Sequence, residues 1–498
     1  MLAAYDLRLV LAAMAASTLA MVQYVGHADD PTFYLLPIAT FSLVFAVPLL
    51  ARLEGFTLIS WLMAAMVLFD EPHNFAYNEW DPWTKILGPL LYERLGELGV
   101  PGLIITPLEI LTISLALWLM FSGGRREHYA LFSSPRFRLV TALALVLPMA
   151  GAIAMLRGQL TGGDLRLAFT QFRYIPYFGL WLYIGYIGYR SPAQLPLLFK
   201  LILGATMIKC LQGWYVFFVV FDMKMGKREY LIEHITSEHI AICMLLVSYL
   251  WWHYRRHVWH TVLALACLVT LILPYFLNLR RASFLGLGIT LALLPIVYYK
   301  HIRRWHVVSA FGLSSAAALV LTLLWNTTSP LGILVYPLKR FFIKDKYFSL
   351  DYRDVENFNQ YHEAMESPFT GWGFGHHMKM FMPLTDISNF YPLYDVLPHN
   401  NVLFLWANGG PLAAAAIAAV CVLSLAVALR LNRTAKDAWT KILAFLAWGM
   451  VIRWLVYAYT DVGLFKFRLP ALLGLVVGVS IHSLALLQRR GESEYVPK

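Results

Sequence analysis

The sequence predicts an all-α, polytopic membrane protein. Of its 498 residues, 59% are hydrophobic and only 14% are charged, and the mean hydropathy is +0.61. A soluble domain of this length would not need so much apolar surface. Successive apolar runs are long enough to cross a hydrocarbon core of about 30 Å as helices. One polar stretch, residues 326–400, interrupts these runs and is too long to be a simple connector.

The apolar runs define the predicted helices in chain order. They cover residues 7–25, 32–51, 56–69, 101–122, 137–156, 174–189, 196–221, 237–253, 258–278, 282–299, 305–325, 401–430, 440–459 and 466–487. Because one run is short and another is weakly apolar, we expect twelve to fourteen membrane spans. We expect a single membrane domain with N-terminal helices over residues 1–325, a large outer loop over 326–400 and C-terminal helices over 401–498.

The short loops predict the orientation, because Lys and Arg concentrate on the cytoplasmic side of membrane proteins. If the spans alternate, basic pairs such as Arg255 and Arg256 all fall on one face, and both termini lie inside. The outer loops are then those near residues 70–100, 157–173, 222–236 and 326–400. This basic inner rim explains most of the formal charge of +11, so the sequence predicts no nucleic-acid partner.

Four arginines on the predicted outer face break the charge rule. Arg280 and Arg281 stand at the outer start of a span, and Arg166 and Arg173 lie in the loop before another. These side chains could simply extend to lipid phosphates. Alternatively they could bind a phosphate-containing ligand, because guanidinium pairs with phosphate oxygens through a planar fork and keeps its charge. The sequence leaves both interpretations open.

The long polar stretch is organised. Largely apolar side chains recur there at helical spacing, namely Tyr352, Val355, Phe358, His362 and Met365. With Ser349 or Asp351 as N-cap, this spacing predicts an amphipathic helix lying on the membrane. Alternating glycines follow, and Gly373 and Gly375 would allow close backbone approach to a ligand.

Histidines in the same stretch raise the question of a metal site. The set of possible ligands is His362, His376, His377, Asp386 and His399. Their spacing does not match a metalloprotease, because Glu366 occupies the position where the second histidine would stand. We therefore predict no metal. His399 and Asn400 precede an apolar run, so either could cap a helix there. Alternatively, His399 is a proton-transfer group at the boundary between water and membrane.

Three motifs together resemble one known family. They are RRASFLGL with Arg281, RDVENFNQYHEAMESPFTGWGFG, and HNNVLFLWANGGPL with His399, Asn400, Leu403 and Gly410. In this order, around a large loop between late spans, they resemble the bacterial O-antigen ligase and polymerase superfamily. The resemblance covers about residues 280–413; the remaining chain matches in hydropathy and topology.

The resemblance implies an inverting glycosyltransferase with a GT-C-like fold in the bacterial inner membrane and a periplasmic active site. The donor would be a glycan on undecaprenyl diphosphate, and the acceptor a hydroxyl of lipid A core or of a growing polysaccharide. Membrane lipids would surround the enzyme, and no cofactor is expected. His399 would be the base and Arg281 the main cation at the diphosphate. The other predicted substrate-binding residues are Arg280, Arg173, Arg166, Gly373, Gly375 and Asn400.

Two other classes of protein compete with an enzyme. A transporter for a lipid-linked glycan would place ionisable residues near the midplane of the membrane, where Lys209 and Arg453 fall in the predicted spans. A scaffold without chemistry would explain the helices but would give His399 and the outer arginines no role.

Overall fold

The architecture is a bundle of apolar helices. A computed structural model describes residues 54–71, 84, 87–95, 105–122, 134–223, 231–278, 280–297, 319, 322, 348–388 and 391–494. Within these ranges the regular structure is helical, and six helices are long and apolar enough to cross a membrane by length and composition. The predicted all-α membrane class is therefore confirmed. The runs at 7–25 and 32–51, and nearly all of 305–325, lie outside the described residues.

Each predicted apolar run in the described ranges forms a helix. In chain order the helices are α1 (Gly55–Leu68), α2 (Pro89–Tyr92), α3 (Pro107–Ser122), α4 (Pro135–Leu160), α5 (Leu165–Phe172), α6 (Pro176–Gly188), α7 (Leu195–Tyr215), α8 (Thr236–Tyr254), α9 (Val258–Leu277), α10 (Arg281–Val297), α11 (Phe348–Glu366), α12 (Asn401–Thr434), α13 (Ala438–Thr460) and α14 (Arg468–Glu494). A 3-10 turn, Pro192–Gln194, precedes α7, and a π-helical turn, Val216–Val220, extends it.

Helix boundaries follow the local capping chemistry. Side chains with short polar groups accept hydrogen bonds from otherwise unpaired backbone amides at five helix starts. They are Thr106 before α3, Ser134 before α4, Asp164 before α5, Asn400 before α12 and Asp437 before α13. Asn400 Oδ1 accepts from the Leu403 amide at 3.1 Å, so the capping role considered for Asn400 is observed.

Helix α14 lies at the centre of the bundle. Its apolar window is 94% buried, whereas that of α9 is only 28% buried and faces outward. Helix α6 packs closely against α14, because Gly185 on one helix and Gly474 and Gly478 on the other meet the partner backbone directly. Small residues at such contacts let two membrane helices approach closely. This central pair supports the loops that build the site described below.

Helix α11 forms in the polar stretch as predicted, and much of its apolar stripe faces away from the rest of the protein. Ser349 and Asp351 lie inside the helix, so the expectation that one of them caps it is wrong. The helix buries a mostly polar face made of Tyr352, Glu356, Asn359, Gln360 and Glu363. Phe358 and Met365, two members of the predicted apolar stripe, are instead exposed. The polar face of α11 is therefore the one that packs against the protein.

The two basic residues inside predicted spans are both paired. Lys209 Nζ donates to Asp70 Oδ1. Arg453 Nη2 donates to Glu238 at 2.6 Å and to the Ser283 hydroxyl at 2.9 Å. Buried charges of this kind require partners, because an unpaired ion in a low-dielectric interior is costly.

Candidate functional site

His399 is held by a buried carboxylate from α11. Its Nδ1 lies 3.1 Å from both carboxylate oxygens of Glu356, and its backbone N–H donates to Glu356 Oε2 at 3.1 Å. Glu356 is fully buried, whereas the His399 side chain retains 19% of its accessible surface. A carboxylate at Nδ1 fixes the ring orientation and favours a proton on that nitrogen. Nε2 is then the nitrogen available to accept a proton.

Neighbouring residues fix the position of the loop that carries His399. The rings of Tyr352 and Tyr391 lie 6.0 and 5.8 Å from the imidazole, centroid to centroid. The Asn401 side chain donates to the Pro398 carbonyl at 3.0 Å and accepts from the Leu464 amide at 2.7 Å. Asn401 thereby ties the His399 loop to the loop between α13 and α14.

A cavity of about 500 Å³ opens beside His399. Helices α2 and α11 contribute to its wall. The rest of this wall comes from the connections that precede α6, α8 and α10 and from the loop between α13 and α14. Five cationic side chains line the cavity against three carboxylates. The cations are Arg94, Arg173, Arg280, Arg353 and Lys466, and the carboxylates are Glu71, Glu93 and Asp461. This excess of positive charge favours an anionic ligand.

Arg173 and Arg280, two arginines of the cavity wall, each have a defined partner. Arg173 caps the end of α5, and its Nη2 donates to Glu109 at 2.7 Å while its guanidinium lies 5.5 Å from the Phe467 ring centroid. Arg280 Nη2 contacts His234 Nε2. These contacts hold the guanidinium groups in place before any ligand binds.

Arg353 links α11 to the end of α13. Its Nη1 donates to the Thr460 carbonyl at 2.6 Å, and its Nη2 lies 3.6 Å from Asp461 Oδ2. Burial raises the pKa of Asp461, but the positive charges of Arg353 and Arg280 and a hydrogen bond from the Val462 amide act in the opposite direction, and the pKa is lower than usual. Asp461 is therefore an anion that balances part of the positive charge beside His399.

A charge network forms the cavity floor. Glu71 accepts from the Phe467 amide at 3.2 Å and from Arg468 Nε at 3.3 Å, and it lies 3.9 Å from Lys466 Nζ. Arg468 also pairs with Glu233. Because Arg468 begins the central helix α14, this network joins the cavity to the most buried part of the bundle.

The structure brings together three of the residues predicted for the site: His399, Arg280 and Arg173 all line the cavity. Arg281, the first residue of α10, is partly exposed and is not among the lining residues. Arg166 is exposed on α5, also away from the lining. Asn400 sits next to His399, with its side chain engaged in capping α12.

The two predicted ligand-binding glycines contact protein backbone. Gly373 has φ +89°, and a Cβ there would lie 2.0 Å from the Gly158 amide nitrogen of α4. The Gly375 amide donates to Gln171 Oε1 at 2.7 Å. Neither residue is among those lining the cavity. In the structure, their close backbone approach is therefore to α4 and its neighbours.

The histidines considered as metal ligands have separate partners. His376 Nε2 lies 2.9 Å from the Thr161 hydroxyl, His377 Nδ1 lies 2.8 Å from Asp395, and His362 Nδ1 lies 2.9 Å from the Phe358 carbonyl. Among the residues that the structure describes, no three His, Cys, Asp or Glu side chains converge as a metal site.

Several polar residues of the site were not predicted from the sequence as site residues, among them Glu356, Arg353, Asp461 and His234. A signal for Glu356 does exist, because Tyr352, Glu356, Asn359, Gln360 and Glu363 recur at helical spacing as a second, polar stripe on α11. Arg353, Asp461 and His234 come from three separate parts of the chain, and only the fold brings them to one cavity.

No protein-family model and no curated protein matches the chain. The geometry of the site itself indicates what it can do chemically. It offers an oriented imidazole that can accept a proton at Nε2, beside a cavity that presents several fixed guanidinium groups to an anion.

Proposed function

We propose that the chain is an inverting glycosyltransferase of the O-antigen ligase or polymerase type. It would transfer a glycan from undecaprenyl diphosphate to an acceptor hydroxyl, within a GT-C-like helical fold of the bacterial inner membrane and with its cavity on the periplasmic face. The observation that carries the proposal is His399, held at Nδ1 by buried Glu356, at the wall of a predominantly cationic cavity.

His399 would act as the general base. Nε2 takes the proton of the acceptor hydroxyl while the acceptor oxygen forms a bond to the anomeric carbon. The bond from that carbon to the diphosphate oxygen breaks at the same time, and the diphosphate leaves with the electron pair. A positioned base contributes roughly 10²- to 10⁴-fold to such a step. Glu356 would stabilise the imidazolium that forms and keep the ring in one orientation.

The arginines would stabilise the departing diphosphate. Its negative charge increases as the bond breaks, so fixed cations stabilise the transition state more than the ground state. Arg280 and Arg353 line the same cavity as His399, and Arg173 is held there by Glu109. Arg281, the main cation expected from the family resemblance, lies at the start of α10 next to Arg280. Guanidinium groups could supply this charge without a metal.

The test uses the purified full-length protein in detergent with an undecaprenyl-diphosphate-linked oligosaccharide and chelator, with and without lipid A core. A product ladder from donor alone indicates a polymerase, and a single shift that requires lipid A core indicates a ligase. The His399→Gln variant should bind donor and give neither product. Donor that is bound by the folded wild-type protein but never consumed would refute the enzyme proposal, and activity that needs an added metal would refute metal independence.

A transporter for the same lipid-linked glycan gains no support from the two charges that suggested it. Lys209 and Arg453 are each paired with a carboxylate inside the bundle. The enzyme proposal accounts for more of the observed arrangement, because it gives His399 and Glu356 defined roles.

A further inference from the structure

The glycine-containing segment after α11 enters the helix bundle between α4 and α12. The Trp372 amide donates to the Ala407 carbonyl at 2.9 Å, and the Gly373 amide donates to the Asn408 carbonyl at 2.8 Å. On the opposite side, the Phe374 amide donates to the Ala154 carbonyl at 2.9 Å. Three consecutive amides are thus paired with the backbones of two apolar helices.

A kink in α12 makes room for this segment. Gly410 has φ 65° and ψ −167°, far from helical values, and Pro411 follows it. Proline has no N–H, so the Ala407 carbonyl loses its usual partner four residues on. The Trp372 amide fills that role. The kink and the segment are therefore complementary, and each satisfies the backbone groups that the other leaves unpaired.

The contacts give the depth of the segment along the helices. Ala407 lies six residues after the first residue of α12, and Ala154 lies six residues before the last residue of α4. At 1.5 Å per residue, both contacts are about 9 Å inside the helix ends. The uninterrupted apolar run of α12 begins at Leu412, and the Phe369 carbonyl approaches Gly410 just before it. Phe369 is thus near the edge of the hydrocarbon region.

From Phe358 onward, the surface of α11 that faces away from the protein is largely apolar and continues into this segment, whereas Asp354, one turn earlier on the same side, is charged and exposed. Six uncharged side chains form what we call the apolar face, and they are Phe358, Tyr361, Met365, Phe369, Phe381 and Met382. Phe369 is 84% exposed. Two hydrogen bonds between Asn359 and the backbone of Met382, at 2.7 and 2.9 Å, hold residues 381 and 382 beside α11.

We infer that the apolar face is immersed in lipid at the membrane interface, at the end of the bundle where His399 lies. Its occupant is the bilayer, because the face lies at the level where the apolar run of α12 begins and where Leu412 of that run is also exposed. Interfacial helices bury their apolar side about 5–10 Å into the boundary between headgroups and acyl chains. Non-helical backbone at this depth requires protein partners, which the paired amides of residues 372–374 have.

Helix α11 then has different surroundings on its two sides. One side of the helix carries Arg353 and Glu356 toward the cavity, and the other side carries the apolar face. The bilayer would therefore fix the helix from outside while the cavity contacts fix it from inside. This inference does not depend on the proposed glycosyl transfer, because it concerns only where α11 lies.

Spin labelling of the full-length protein tests the inference. Single cysteines replace Phe358, Met365 or Phe369. The matched control is Asp354→Cys, an exposed position one turn before Phe358 on the same side of the helix, where the charge marks the end of the apolar face. Cys267, the one native cysteine that is not fully buried, is changed to alanine, and the chain without an added cysteine gives the background. After reconstitution into vesicles of phosphatidylethanolamine and phosphatidylglycerol, the collision rates of each nitroxide with oxygen and with a water-soluble nickel complex are compared.

At positions 358, 365 and 369 we expect collisions with oxygen to exceed those with nickel, with the largest ratio at 369 and the reverse order at 354. Nickel collisions at all three positions as frequent as at 354 would show a water-facing surface and overturn the inference. Protection from both reagents would also overturn it, because a protein or a second copy of the chain would then cover the face. The four positions are exposed, so the substitutions remove little packing.

Discussion

The contact between Glu356 and His399 gives the sharpest prediction. In the Glu356→Gln variant the side chain keeps its size, but it loses the charge that faces Nδ1 at 3.1 Å. The new amide group can also donate to Nδ1, which would move the ring proton to Nε2, the atom that must accept the acceptor's proton. We expect kcat to fall about 100-fold, within the range of roughly 10²- to 10⁴-fold for loss of general-base catalysis.

The assay is glycan transfer by the purified protein, with donor affinity measured separately. Because Glu356 acts through His399, the expected change is in kcat, and donor affinity should stay within about twofold. Glu366→Gln is the matched control, because Glu366 lies on the same helix but is exposed and pairs with Lys379. It should leave kcat within about twofold, since exposed ion pairs contribute little.

A double variant separates positioning from simple structural support. If Glu356 works only through the imidazole, Glu356→Gln should cost almost nothing further in a His399→Gln background, because the two residues act as a unit. If Glu356→Gln reduced kcat by the same factor in both backgrounds, Glu356 would not act through His399. Full activity of the folded Glu356→Gln variant would show that His399 does not need this carboxylate.

Three further predictions concern stability, measured as the thermal midpoint Tm of the purified protein in detergent. Gly373→Ala should lower Tm by several degrees, because a Cβ at φ +89° would collide with the Gly158 backbone. Gly288→Ala on α10 is the control and should not lower Tm, because a Cβ there meets open space. Burial raises the pKa of Glu363 to about 7, so the folded state keeps a proton that the unfolded chain releases. The free energy of unfolding should therefore fall by up to about 3 kcal/mol between about pH 4.5 and 7. The same dependence of stability on pH in the Glu363→Gln variant would contradict this. Lys209→Met should cost about 3–5 kcal/mol, because the buried Asp70 carboxylate would lose its cation and keep the side-chain hydrogen bond from the Thr84 hydroxyl. Adding Asp70→Asn should recover most of the loss, and equal Tm values for the single and double variants would contradict the pairing.

The helices were predictable because bilayer thickness and apolar composition leave a narrow choice of structures. For example, the predicted runs 137–156 and 440–459 correspond closely to α4 and α13. The amphipathic helix in the polar stretch was also predictable from spacing alone. What spacing could not give was which partners the polar side of α11 meets, because in a membrane protein that side can be buried against other parts of the chain.

The site was only partly predictable for a related reason. His399, Arg280 and Arg173 were found from their types and predicted location, and the structure places all three at one cavity. Arg353 and Asp461, which are about a hundred residues apart, meet only because α11 packs beside the end of α13. Glycine patterns were ambiguous for another reason: backbone can approach a ligand or another helix equally well, and Gly373 approaches α4.

The buried polar face of α11 explains why the helix can serve a site at the boundary of the membrane. A carboxylate such as Glu356 is costly to bury without hydrogen-bond partners, and His399 supplies two of them, one from the ring and one from the backbone. Asn359 uses its amide to hold residue 382 in the same way. Glu356 and Asn359 therefore each specify one position for the chain around them. The packing of α11 and the orientation of the imidazole depend on the same hydrogen bonds, so a change that weakens one should weaken the other.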